Sequence, residues 1–322
     1  MLEQAPFHAA LADGPEGARA FWLRAGDGLR LRVAHYPGPE AAEGTVLLFP
    51  GRTEYVEKYG RTAREFAVRG FHVLTIDWRG QGLADRMLDD VQTGHVHLFA
   101  DYQTDVAALL DAVDMLGLPR PLHLLAHSMG GAIGLRALTR GLPVASAGFT
   151  APMWGIRMFG PMRPAAWALS WSGARMGMGH VYAPSTGPDS YLSRTPFEGN
   201  VLTTDHEGWE YMRRQVTEVP ELALGGPSLR WLHEALAECR SLSRLPAPGV
   251  PCLTYVGSNE RVVDAARIHA RMRAWPGGKL EVVQAGEHEV LMEAAATRER
   301  IVAQLAAHYR QAAEAAGAQA SA

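Results

Sequence analysis

The chain has 322 residues, of which 47% are hydrophobic and 20% charged, and its formal net charge is −3. Those values describe a soluble globular protein with core material for one large α/β domain, or a domain carrying a substantial insertion. Near-balance of acidic and basic residues argues against a polyanion-binding surface, so nucleic acid is not an expected partner.

The N-terminal stretch "MLEQAPFHAALADGPEG" lacks a basic segment followed by an apolar run, so no signal peptide is expected and the start is read as flexible. "ARAFWLRAGDGLRLRVAHYPG" reads as two strands around Gly26-Asp27-Gly28. "GTVLLFPG" has the form of a buried strand, and Tyr55 to Arg69 has helical spacing stopped by Gly70. A second buried strand, "FHVLTIDW", ends in the glycine-punctuated loop "RGQGLADR". Residues 99–117 predict an amphipathic helix with Val106, Leu109, Leu110, Val113 and Leu116 on one side.

"LHLLAHS" is a third buried strand, followed by a helix from Gly130 to Arg140. "ASAGFTAP", "PCLTYVG" and "GKLEVVQAG" supply three more strands. Strands alternating with helices imply βαβ units and a mostly parallel sheet with helices on both faces. The alternation breaks between residues 152 and 246, a span rich in Trp, Met, Pro and Gly that reads as a mainly helical insertion. The expected division is therefore a first core part at 1–151, the insertion at 152–246, and a second core part at 247–322. The Ala-rich tail from about residue 311 is expected to fray.

Ser128 follows a buried strand and precedes a helix opening Gly130-Gly131. A nucleophile elbow needs that context, because its serine must project from a tight strand-to-helix turn. The signature G-x-S-x-G is incomplete here, since Ala126 stands at the first glycine. A plain N-cap serine is the competing reading. A base late in the chain decides between them, and His288 lies in the loop after the last strand. The acid that orients it is expected at the end of the preceding strand, where Glu260 is favoured over Asp264, a candidate helix cap. An oxyanion hole needs two backbone N–H groups, assigned to Met129 and Arg52. The Arg52 side chain is expected to be solvated or paired with Glu54.

The segments "PGRTEYVEKYG", "DWRGQGLADR", "AHSMGG", "GSNERVVD" and "GEHEVLMEA" resemble, in order and spacing, the α/β-hydrolases. More narrowly, they resemble the monoacylglycerol lipase and bacterial lysophospholipase-like branch, of serine aminopeptidase S33 type. The resemblance implies an α/β-hydrolase fold with a helical cap inserted. It also implies a serine hydrolase acting on carboxylic esters of lipid-like substrates through an acyl-enzyme, with no cofactor. In this branch Asp77, Arg79, Gly80 and Gly82 shape the loop beside the site. Three positions depart from the pattern: Pro50 for histidine, Ala126 for glycine, and Glu260 for aspartate.

Met153, Trp154 and Met158 are candidate lining for an acyl pocket, because thioethers and rings fill irregular apolar space. His95 and His97 form a pair without a third ligand at suitable spacing, so no metal is expected. His127 is read as a packing or lining residue. Two alternatives remain: an aminopeptidase or amidase anchoring a substrate amine on Glu207, Glu210 or Glu218, and a catalytically degenerate fold that serves as a binding protein. Cys239 and Cys252 have no ligand spacing and fit a reduced setting, so a cytoplasmic location is expected. No apolar run is long enough to span a bilayer, which leaves peripheral membrane contact open.

Overall fold

A computed structural model describes residues 2–160 and 162–320. Nine strands form one sheet in the order β1-β2-β3-β5-β4-β6-β7-β8-β9. β1 (Glu3–Ala5), β2 (Arg19–Arg24) and β3 (Arg30–Tyr36) pair antiparallel, as does β3 with β5 (Phe71–Asp77). From there the ladder is parallel, through β4 (Gly44–Phe49), β6 (Leu122–His127), β7 (Ser146–Thr150), β8 (Cys252–Gly257) and β9 (Lys279–Val283).

The central parallel strands are mostly apolar because both sheet faces are covered there, whereas the edge strand β9 is largely exposed. Alternate residues of β4 show this: Leu47 and Phe49 enter one core cluster, Val46 and Leu48 the other. On the first face pack α3 (Tyr102–Met115), α4 (Ser128–Thr139) and α9 (Ala265–Arg273). On the second pack α2 (Gly60–Ala67) and α10 (Ala295–Ala320). Between β7 and β8 the chain runs through α5 (Met162–Arg175), α6 (Tyr191–Arg194), α7 (His206–Glu218) and α8 (Leu229–Leu242). Of these, α7 and α8 reach the core through Tyr211, Met212, Trp231 and Ala235.

Two ends differ from expectation. The start is ordered, with β1 added to the edge of the sheet and α1 (Ala9–Ala12) seated by Tyr211, whose hydroxyl donates to Ala12 O at 2.7 Å. Its stability comes from partners distant in sequence, which local pattern does not reveal. The Ala-rich tail continues α10 to Ala320 instead of fraying near residue 311, as the high helix propensity of alanine favours. No helix among the described residues is long and apolar enough to cross a membrane.

Candidate active site

β6 delivers His127 in extended conformation, and the next residue turns sharply: Ser128 has φ 48°, a left-handed value that L residues adopt at a cost. Two glycines make the turn feasible. A Cβ on Gly130 would collide with Phe49 O, and one on Gly131 would sit 2.5 Å from Pro152 Cβ. Ala126 is tolerated because its methyl faces Gly134, where an added Cβ would come within 3.3 Å of it. The glycine absent from the strand is matched by one on the helix.

Ser128 Oγ lies 2.9 Å from His288 Nε2, and His288 Nδ1 lies 2.8 Å from Glu260 Oε2. All three side chains are buried. The loops bearing Glu260 and His288 touch because Gly257 has no side chain; a Cβ there would collide with Gly286 O. The Asn259 amide then donates to Gly286 O at 2.9 Å. Glu260 Oε1 accepts from the Val262 and Val263 amides at 2.6 and 2.9 Å, which fixes the longer side chain. Burial pushes the Glu260 carboxyl up, but His288 and these amides outweigh it and hold it below its ordinary value. Asp264 points elsewhere, to Arg163 at 3.0 Å.

The loop after β4 is braced from three sides. Trp78 Nε1 donates to Pro50 O at 2.9 Å, Gln81 Nε2 donates to Gly51 O at 3.0 Å, and Glu54 accepts from the Gly51 amide. Gln81 Oε1 also accepts from the Thr53 amide at 3.2 Å. The Arg52 amide has no hydrogen-bond partner among the described residues. The Met129 amide opens α4, where helical N–H groups lack an i−4 acceptor. The Arg52 side chain is half-buried on the cavity wall and is not paired with Glu54. It turns away to donate from Nη2 to Gly225 O at 2.6 Å, because Glu54 is already engaged by Lys58 and Tyr59.

The loop residues singled out beside the site are structural. Asp77 accepts from Arg32 Nε at 2.7 Å and from the Val56 and Leu83 amides at 2.8 Å. Arg79 pairs with Asp105 and Asp27, and Gly80 and Gly82 take positive φ. Gly82 also leaves room for the Asp77 carboxylate.

His127 does more than line the site. Its Nδ1 faces Thr150 O at 3.0 Å, and its Nε2 lies 3.2 Å from Glu289 and 3.5 Å from Glu54. The approach to Glu289 is ionic, off the line of a hydrogen bond. Lys58 Nζ bridges the same carboxylates, at 2.7 Å from Glu54 and 2.6 Å from Glu289. Burial pulls the His127 pKa down, yet Glu289 and Glu54 more than reverse it and raise it above 6.5. Glu54, His127 and Glu289 have metal-ligand spacing, but the Lys58 ammonium holds the place between the carboxylates. No sequence pattern pointed to this cluster, whose members lie on three separate segments. His95 Nδ1 faces Ser228 Oγ at 2.9 Å, and its ring meets that of His97 edge to face.

Ser128 and His288 open on a cavity of about 400 Å³ with a largely apolar wall that includes Ile156, Leu192, Val216, Leu224 and Trp231. Of the three residues expected there, only Met153 contributes. Trp154 is instead in the core, donating to Gly131 O at 3.1 Å and packing on Phe149 and Trp275. Met158 lies outside this wall. Glu207, Glu210 and Glu218 are absent from the wall too; they pair on the surface with Arg61, Arg213 and Arg214.

Residues 40–295 match the serine aminopeptidase S33 family. The chain is 35% identical over 280 residues to lysophospholipase L2 of Escherichia coli strain K12, covering 84% of this chain and 79% of that one. A soluble variant of Saccharomyces cerevisiae monoglyceride lipase superposes with a TM-score of 0.70 at 19% identity, covering 90% of this chain and 94% of that one. A thermostable Bacillus coagulans carboxyl esterase gives a TM-score of 0.73 at 16% identity, over 91% and 98% of the two chains. The chain belongs to the serine aminopeptidase S33 family and has the α/β-hydrolase fold.

Proposed function

We propose that the protein is a serine hydrolase that cleaves the carboxylic ester of lysophospholipid or monoacylglycerol-like lipids through an acyl-enzyme. The observation that carries this reading is the relay Ser128–His288–Glu260, with distances of 2.9 and 2.8 Å, opening on an apolar cavity. Similarity to lysophospholipase L2 supports the lipid class.

In this reading Ser128 Oγ attacks the ester carbonyl while His288 Nε2 takes its proton. Glu260 accepts from Nδ1–H, keeping the reactive tautomer and stabilising the imidazolium. The Met129 and Arg52 amides hold the oxyanion, helped by the positive end of α4. Collapse expels the alcohol, which takes the proton back from His288. Water then gives its proton to His288 and attacks the acyl group, releasing the fatty acid and restoring Ser128.

Residues 152–246 act as a cap over a core made of 1–151 and 247–322. Support comes from the cavity wall, where Leu192, Leu224 and Trp231 from the inserted segment face Ser128 and His288. Exposed Phe159, Met162, Trp171 and Met176 give that segment an apolar surface suited to peripheral contact with lipid. Purified Ser128→Ala should keep its fold and lose hydrolysis of p-nitrophenyl acyl esters, and wild-type-like turnover in that variant overturns the assignment.

A further inference from the structure

Arg52 differs from Arg32 and Arg79, the two arginines paired beside the loop next to the site. Arg32 is buried against Asp77 and Glu57, and Arg79 against Asp105, so each has carboxylates to offset desolvation. Arg52 has no ion-pair partner among the described residues. Its Nη2 donates to one carbonyl, Gly225 O, its guanidinium carbon lies 5.2 Å from the Trp231 ring centroid, and its Nε is shielded from solvent without a partner. Burial pulls its pKa down to about 10, with Tyr102 opposing, which still leaves a full positive charge at neutral pH.

The guanidinium is held in a built seat. It packs against Gly94, where a Cβ would stand 2.5 Å from Nη2. Gly94 is in turn bonded to the inserted segment, its amide donating to Gly226 O at 2.9 Å and its carbonyl accepting from the Ser228 amide at 2.8 Å. The same cavity wall contains Ser128, His288 and Arg52. The other strong charges on that wall, Glu54, Lys58 and Glu289, are bonded to one another. The site therefore presents one uncompensated, immobilised cation to whatever enters.

We infer that the Arg52 guanidinium is a specificity determinant that binds the phosphodiester of a monoacyl glycerophospholipid while its ester lies at Ser128. The inference rests on the ester-hydrolase reading above and narrows its substrate. A phosphodiester is anionic at neutral pH and accepts the paired N–H groups of a guanidinium, whereas a monoacylglycerol offers only neutral hydroxyls there. The short glycerol arm joining ester and phosphate keeps both groups inside one cavity.

The test compares kcat/KM of wild type, Arg52→Met and Arg52→Lys on 1-palmitoyl-lysophosphatidylcholine and 1-palmitoylglycerol. Both variants retain the main-chain amide at position 52. The ratio of lysophospholipid to monoacylglycerol turnover should fall about 10- to 100-fold in Arg52→Met, mainly through KM, and less in Arg52→Lys. Glycerophosphocholine should compete with substrate in wild type and not in Arg52→Met. An unchanged ratio, even if both activities drop, makes Arg52 a strut of the loop and overturns the inference. So does wild type that cleaves monoacylglycerol alone, or inorganic phosphate inhibiting as strongly as glycerophosphocholine. Wild type that cleaves neither ester, or Ser128→Ala that cleaves both, refutes the ester-hydrolase reading itself.

Discussion

Lys58 Nζ lies 2.6 Å from Glu289 Oε1 although 231 residues separate them, and this ion pair ties the loop after β4 to the residue that follows His288. Both side chains are buried, so the charge on each is sustained by the other and by Glu54 and His127. The cluster holds the backbone assigned to the oxyanion and the loop assigned to the base in fixed relation.

Removing one member leaves its neighbours as uncompensated buried charge. Lys58→Met should therefore lose about 3–5 kcal/mol of unfolding free energy in urea titrations. The double variant Lys58→Met/Glu289→Gln should lose less than the sum of the single changes. Additive losses would mean that the two groups do not interact.

The cluster also sets a pH window. The Glu289 carboxyl is pushed up by burial, but His127 and Lys58 outweigh that and hold it well below the ordinary range. Its contribution is present above about pH 4.3 and is lost as pH falls through the depressed folded value. His127 behaves oppositely: its raised pKa gives stability that is complete below about pH 6.5 and is lost as pH rises through the folded value. The Tm difference between wild type and His127→Gln should shrink as pH is raised from about 6 to about 9. A difference constant over that range would mean that His127 is neutral in the fold.

Glu260 and Asp264 separate cleanly by substitution. Glu260→Gln keeps the shape but removes the carboxylate facing His288 Nδ1, so kcat on an acyl ester should fall by about 10³- to 10⁴-fold. Asp264→Asn breaks a contact with Arg163 and should leave kcat near wild type. The reverse pattern would reassign the acid.

At the elbow, Ala126→Gly should fold and remain active, because Gly134 already leaves room on the helix side. Gly130→Ala should not, since its new methyl meets the main chain of Phe49 with no flexible atom to yield. Soluble expression, circular dichroism and turnover of the two variants decide this.

The exposed apolar residues of the inserted segment make a separate prediction about lipid surfaces. Sedimentation with phosphatidylcholine vesicles should weaken in Trp171→Ser/Met176→Ser, while turnover of a water-soluble short-chain ester stays at the wild-type level. Equal sedimentation of the two proteins would remove the membrane role from this patch.

Much of the architecture was legible in local pattern. Buried parallel strands declare themselves as short apolar runs, "GTVLLFPG" and "LHLLAHS" among them, and chain order places Ser128, Glu260 and His288 after three of them. β1 was hidden because its place depends on pairing with β2, and Trp154 was misread because an indole suits a core as well as a pocket. Gln81 gave no signal at all: a glutamine that clamps two main-chain groups of another loop looks like any loop glutamine.

The amino-acid order thus carries the strand and helix series, the strained serine turn and the residue types of a relay, because each is written in neighbouring residues. It does not carry the partner of a long charged side chain. Arg52 reaches Gly225 across 173 residues, and Glu54 is claimed by Lys58 before it can pair with Arg52. Which loops meet, and so which buried charges are neutralised and which one stays uncompensated in the cavity, follows from packing of the whole chain. Electrostatics at a site is a property of distances in space, and those exist only once the sheet has brought its loops together.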